Sequence, residues 1–164
     1  MRDVPDFPIE GVAFKDITPL LGDPAGFSSV VDAIVSRFGR SVIDKVVGIE
    51  ARGFIIAAPV AYHCGAGFVP LRKEGKLPSR TLTERYELEY GVEALEVHAD
   101  AFSPGERVLI VDDVLATGGT AKAACALIER CGATVAGLAF VIELGFLRGV
   151  TKLGGYDVVS LLQY

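Results

Sequence analysis

Hydrophobic residues in this chain fall into short solid runs separated by longer amphipathic stretches, and that alternation sets the expected architecture. Val108-Leu109-Ile110-Val111 is the clearest run, too short for a helix and suited to a strand buried on both faces. Asp44 to Ile49, Gly67 to Leu71, Thr134 to Ile142 and Tyr156 to Leu162 read as companion strands. Because proline cannot donate to a ladder, Pro70 makes its strand end early or lie near an edge. Between the runs, apolar residues recur at helical spacing. Phe27, Val30, Val31, Ile34, Val35 and Phe38 follow an Asp23-Pro24 start, Phe54 to Cys64 forms a second helix, and Ala121, Ala124, Cys125, Ile128 and Cys131 share one face of a third, closed by Gly132. Strands alternating with helices predict an α/β fold, a doubly wound and mostly parallel sheet with right-handed crossovers.

Two stretches depart from the alternation. Asp6 to Pro19 mixes prolines and glycine with apolar residues and reads as a small N-terminal flap with a short strand near Val12 to Lys15. Leu82 to Gly91 alternates at Tyr86, Leu88 and Tyr90 and pairs with Ala94 to Val97 as an antiparallel ribbon. A polar ribbon hinged on glycines suits a lid that excludes water. With no linker or repeat, residues 1–164 read as a single domain, with a flap at 1–20 and a flexible lid at 72–100.

Composition narrows the function classes. A chain of 164 residues that is 51% hydrophobic can bury one sizeable core. A net charge of −5 with a pI near 5.0 argues against a nucleic-acid partner, which would require a basic stripe. Cations gather instead in Arg72-Lys73-Glu74-Gly75-Lys76-Leu77-Pro78, directly after a strand, as a solvated turn or as a site for polyphosphate. Cys64, Cys125 and Cys131 match no metal-ligand spacing and read as reduced thiols. Met1 to Pro5 lacks an apolar signal core and no stretch approaches a membrane span, so a cytoplasmic protein with no membrane partner is expected.

The candidate chemistry lies just after the Val108–Val111 run. Asp112 and Asp113 stand where a buried strand would normally stop, and Ala116-Thr117-Gly118-Gly119-Thr120 leads into the third helix. Glycines admit a ligand close to the backbone, and threonine hydroxyls stand beside the unpaired amides of a helix start, so the turn accepts a phosphate. The carboxylates would repel that phosphate and must face vicinal hydroxyls or a hydrated divalent cation. A sugar phosphate satisfies both halves; the plain alternative is a solvated strand end followed by an ordinary loop. Arg52, between a strand and a helix, either reaches the carboxyl edge of the sheet or pairs on the surface with Glu50.

Val108 to Thr120 resembles the 5-phosphoribosyl-1-pyrophosphate (PRPP) motif of the type I phosphoribosyltransferases. The resemblance extends, in order, through Asp6-Phe7-Pro8, Gly11 to Pro19, Glu50 to Phe54, Arg72 to Pro78 and Leu88 to Gly91, to the adenine-using branch of that family. It implies a purine-salvage enzyme that converts adenine and PRPP to AMP and pyrophosphate with Mg²⁺ held mainly by PRPP and water, and a homodimer joined through the helix at Phe54 to Cys64 and its flanking loops. Asp112 and Asp113 would bind the ribose hydroxyls, and Ala116, Thr117, Gly118, Gly119 and Thr120 the 5-phosphate. Arg52, Arg72, Lys73 and Lys76 would face pyrophosphate, with Arg52 also catalytic. Glu89 would be the acid/base near the purine; resemblance alone selects it over Glu87. Ala13, Phe14, Lys15 and Leu144 would hold adenine. Three departures fall on the flap: Glu10 stands where the family usually has proline, Lys15 where arginine is frequent, and the chain begins almost directly at the flap, without the usual leading helix. The competing readings are a transferase for hypoxanthine, guanine or xanthine, and a non-catalytic PRPP sensor.

Overall fold

A computed structural model describes residues 1–6, 14–87 and 91–164. In chain order its elements are β1 (Arg2–Val4), β2 (Phe14–Asp16), α1 (Thr18–Leu21), α2 (Pro24–Phe38), β3 (Lys45–Ile49), α3 (Arg52–Cys64), β4 (Gly67–Lys73) and β5 (Thr81–Glu87). There follow β6 (Val92–His98), β7 (Arg107–Leu115), α4 (Gly119–Arg130), β8 (Thr134–Glu143), 3₁₀ turns at Gly145–Leu147 and Gly149–Leu153, and β9 (Val158–Gln163). The main sheet has seven strands in the order β5-β6-β4-β3-β7-β8-β9. β4, β3, β7, β8 and β9 run parallel, while β6 is antiparallel to both β4 and β5.

Alternation along the central strands divides the core between the two faces. Val46, Leu109 and Val111 pack with Ile34 of α2 and with Ile56 and Val60 of α3. Val47, Val108 and Ile110 pack with Ala124, Leu127 and Ile128 of α4. Helices therefore cover both faces, as expected of a doubly wound sheet. Val108, Leu109, Ile110 and Val111 are all fully buried, as their unbroken apolar run requires.

Several boundaries differ from the sequence reading. β7 does not stop at the acidic pair but runs through Asp112 and Asp113 to Leu115, because β8 continues alongside it and pairs Leu115 with Glu143. β4 likewise continues past Pro70 to Lys73. Proline is accommodated because β4 has β3 as its partner from Gly67 to Leu71, and β6 joins the other side only at Arg72 and Lys73. α3 begins at Arg52 rather than Phe54, and β9 begins at Val158, after the 3₁₀ turn and Tyr156. The flap strand is Phe14–Asp16, paired antiparallel with Arg2–Val4; Val12 and Ala13 lie outside the described residues.

The β5–β6 ribbon forms as the alternation requires, with Thr81 opposite His98 and Glu87 opposite Val92. Its base is core rather than arm, since Ala94, Leu95 and Val97 are buried. α2 starts on Asp23, whose carboxylate accepts the Gly26 N–H at 2.7 Å, a cap of about 1 kcal/mol.

Candidate active site

The carboxyl ends of β3, β4, β7 and β8 open onto one cleft of about 760 Å³, where a parallel sheet places its ligand. Its walls carry most of the residues singled out from sequence: Phe14, Lys15, Arg52, Lys73, Lys76, Asp112, Asp113, Ala116, Thr120 and Leu144. A smaller recess of about 80 Å³ adds Thr117 and Gly118. Gly119 begins α4 beside them. Ala13 and Glu89 lie outside the described residues, as do Glu10, Leu88 and Tyr90.

At the strand tip Asp113 is buried and its Oδ2 lies 2.5 Å from Nε of Arg52, the first residue of α3. Arg52 therefore pairs with the acidic tip and not with Glu50. The ion pair leaves Oδ2 without an aligned hydrogen-bond donor among the described residues, an acceptor that a hydroxyl can complete. Asp112 accepts the Asp113 N–H at 2.9 Å and lies so close to α3 that a Cβ on Gly53 would come within 2.7 Å of its Oδ1. Burial, and then the adjacent Asp113 charge, push the Asp112 carboxyl well above its ordinary range.

The turn after β7 is an anion cradle. Gly118 caps α4 at φ 78° with no side-chain cap among the described residues, so the N–H groups of the first turn of α4, beside the recess, suit an anion. A Cβ on Gly118 would meet the Gly149 carbonyl oxygen at 2.3 Å, and one on Gly149 would meet the Ala116 carbonyl oxygen at 2.1 Å. The cradle is thus shaped by backbone contact with the 3₁₀ turn at Gly149–Leu153. Gly149 went unrecognised because no local motif ties it to a turn 31 residues earlier.

The cationic wall is already paired with carboxylates. Glu50, whose side chain is 9% exposed, accepts from Arg72 Nε at 3.3 Å, from the Lys73 N–H at 2.9 Å and from the Lys76 ammonium. Burial raises the Glu50 carboxyl, but those donors outweigh it and hold the group at about 2. Arg72 also donates to the Lys76 carbonyl at 3.1 Å and, unlike Lys73 and Lys76, does not line the cleft. Lys73 pairs with Glu93 at 2.8 Å, Tyr86 donates to the same Glu93 at 2.8 Å, and Thr120 donates to Tyr86 at 3.4 Å. Burial and the Glu93 carboxylate push the Tyr86 phenol up to about 12, so Tyr86 acts there as a neutral donor.

Opposite lies an apolar end formed by Phe14, Val114 and Leu144, with the Arg52 guanidinium 4.9 Å from the Phe14 ring centroid. Glu50, Tyr86, Glu93 and Val114 were not assigned to the site from sequence. Tyr86 reads from sequence only as a ribbon position and Glu93 falls outside the two ribbon segments; their place on the cleft comes from β6 joining β4.

Residues 27–153 match the phosphoribosyl transferase domain family. Over 163 residues the chain is 62% identical to an adenine phosphoribosyltransferase of Acidothermus cellulolyticus, covering 99% of this chain and 92% of the relative. The crystal structure of adenine phosphoribosyltransferase from Thermoanaerobacter pseudethanolicus superposes with a TM-score of 0.95 at 50% identity, covering 99% of this chain and 95% of that one. The Saccharomyces cerevisiae enzyme, complexed with an imino-altritol bisphosphate and adenine, superposes with a TM-score of 0.92 at 41% identity, covering 98% and 93%.

Proposed function

The chain belongs to the adenine phosphoribosyltransferases and makes AMP and pyrophosphate from adenine and PRPP, and from that premise we propose how its cleft divides the work. The observation that carries the assignment is the succession, along one strand end, of two carboxylates and then an uncapped helix start. The 5-phosphate sits on the backbone amides and hydroxyls of Ala116, Thr117, Gly118, Gly119 and Thr120. Asp112 and Asp113 accept from the ribose hydroxyls. Tethered at both points, the sugar presents its anomeric carbon to the open cleft, between the apolar end and the cationic wall.

Adenine occupies the apolar end, between Ala13, Phe14 and Lys15 of the flap and Leu144 after β8. Pyrophosphate leaves toward Arg52, Lys73 and Lys76, with Arg72 supporting the loop. As the glycosidic bond breaks, negative charge builds on the departing oxygen and positive charge on the ribose. The cations meet the first, and the buried Asp113 carboxylate offsets the second. Glu89 manages the purine proton as the base attacks, a role that rests on resemblance. The lid over residues 72–100, to which β5 and β6 belong, keeps water from an oxocarbenium-like ribose. Tyr86 gives that lid a hydrogen-bonded seat at Thr120.

Mg²⁺ fits this site as an ion carried by substrate. Among the described residues no three metal-ligating side chains converge, and the carboxylates on the cleft already face donors of this chain: Asp113 the Arg52 guanidinium, Glu50 the Lys76 ammonium and Asp112 the Asp113 N–H. Bound through PRPP oxygens and water, with Asp112 and Asp113 nearby, it would neutralise pyrophosphate charge.

A homodimer accounts for the outer face of α3, where Ile55 is 47% and Tyr62 82% exposed. Sedimentation of the wild type and of Tyr62→Glu tests this, the variant shifting to monomer. We place the enzyme in the cytosol, in keeping with free Cys64, Cys125 and Cys131. No helix among the described residues is long and apolar enough to cross a membrane. Incorporation of labelled adenine and guanine with PRPP tests base choice: adenine turns over faster, and faster turnover with guanine would assign the cleft to another purine.

A further inference from the structure

Among the described residues, two cation–π contacts fasten the flap to the body of the molecule. In one, Arg52 of the body lies over Phe14 of the flap; in the other, the Lys15 ammonium of the flap lies 4.1 Å from the ring centroid of Tyr164. The first belongs to the cleft already described. The second involves a residue that does not line the cleft and has no part in the chemistry.

Tyr164 follows β9, and its backbone brackets the turn that carries Leu144. Its N–H donates to the Glu143 carbonyl at 3.0 Å, and its own carbonyl accepts from the Gly145 N–H at 2.9 Å. Its ring meanwhile restrains Lys15, which Asp3 holds from a second direction at 2.7 Å, leaving that side chain only 16% exposed. One residue therefore contacts both walls of the apolar end: the flap through its ring and the Leu144 turn through its backbone.

We propose that Tyr164 is a positioning residue for the purine, fixing Lys15 with its aromatic ring and the Leu144–Gly145 turn with its main chain. The inference rests on placing adenine between Lys15 and Leu144. A lysine stem has four rotatable bonds, and holding it before the base arrives removes an ordering cost that binding would otherwise bear. A Leu at 164 keeps the main-chain bonds and removes only the ring, so its effect is confined to the Lys15 side.

Steady-state kinetics of the full chain test this, varying adenine and PRPP separately in Tyr164→Leu, Tyr164→Phe, Lys15→Met, the Lys15→Met/Tyr164→Leu double variant and Leu144→Ala. Tyr164→Leu is expected to raise the adenine KM roughly three- to thirtyfold, the range of one partly desolvated cation–π contact. Its PRPP KM and kcat stay within about twofold, Tyr164→Phe restores the wild-type adenine KM, and the double variant is no worse than Lys15→Met. A parallel rise in both KM values would mean a general structural role and overturn the proposal. So would a rise with Leu144→Ala but none with Tyr164→Leu, or, if Tyr164→Leu does not fold, an unchanged adenine KM in Lys15→Met. If neither Leu144→Ala nor Tyr164→Leu moves the adenine KM, the purine placement itself falls and the inference with it.

Discussion

Gly118 and Gly149 meet backbone to backbone, so closely that a Cβ on Gly118 would stand 2.3 Å from the Gly149 carbonyl oxygen. The phosphate cradle is therefore a two-part object, a turn after β7 pressed against the 3₁₀ segment before β9. Its shape depends on a residue that lines neither recess nor cleft.

Gly149→Ala is accordingly expected to weaken PRPP use although Gly149 touches no substrate. Its Cβ would fall 2.1 Å from the Ala116 carbonyl oxygen, so the turn must shift. Relieving that overlap takes a shift of about 1 Å, and a misplacement of about 1 Å can cost on the order of 100-fold in kcat/KM. Initial rates with PRPP varied at saturating adenine check this: a raised PRPP KM is predicted, and wild-type kinetics would show that the two backbones separate without consequence.

Removing one charge from the strand tip and one from the lid should have different effects. Asp113→Asn loses the ion pair with Arg52 at 2.5 Å and the charge facing the ribose. It is expected to weaken PRPP binding by about 1.5–3 kcal/mol, the scale of hydrogen bonds to charged groups. Glu89→Gln should lower kcat and leave PRPP affinity nearly unchanged. Calorimetric titration with PRPP, together with single-turnover rates, separates the two. Equal loss of affinity in both would make Glu89 a structural residue.

Glu50 gives a pH prediction. Its folded carboxyl is held at about 2, below its ordinary 4.5, so between those values the unfolded chain binds the extra proton. The stabilisation from its contacts with Lys76, the Lys73 amide and Arg72 is complete above about pH 5 and is lost as pH falls toward 2. Urea unfolding of wild type and Glu50→Gln from pH 7 to pH 3 is expected to show a constant stability gap at the upper end that narrows below about pH 4.5. A gap that stays the same throughout would mean that the cationic loop does not hold the carboxylate ionised.

Local chemistry made the centre of the fold legible. Val108 to Val111 is apolar at every position because both faces of β7 are covered, and the Asp23-Pro24 start of α2 follows from capping. The acidic pair and the glycine turn were readable because strand tip and helix start are consecutive in the chain. Harder to read were contacts made across it. Asp112 and Asp113 look like a strand end, yet β8 carries β7 two residues further. Glu50 resembled a partner for neighbouring Arg52, whereas the fold turns it to Arg72, Lys73 and Lys76, more than 20 positions away. Gly149 and Tyr164 carry no local signature, since each acts on a segment brought to it only by the packed sheet.

Soaking AMP into crystals of the enzyme and locating its phosphate tests the account most directly. The phosphate oxygens are predicted about 2.7–3.2 Å from the backbone nitrogens of the turn from Thr117 to Thr120, with the ribose hydroxyls on Asp112 and Asp113. A phosphate seated on Lys73 and Lys76, with that turn unliganded, would contradict it.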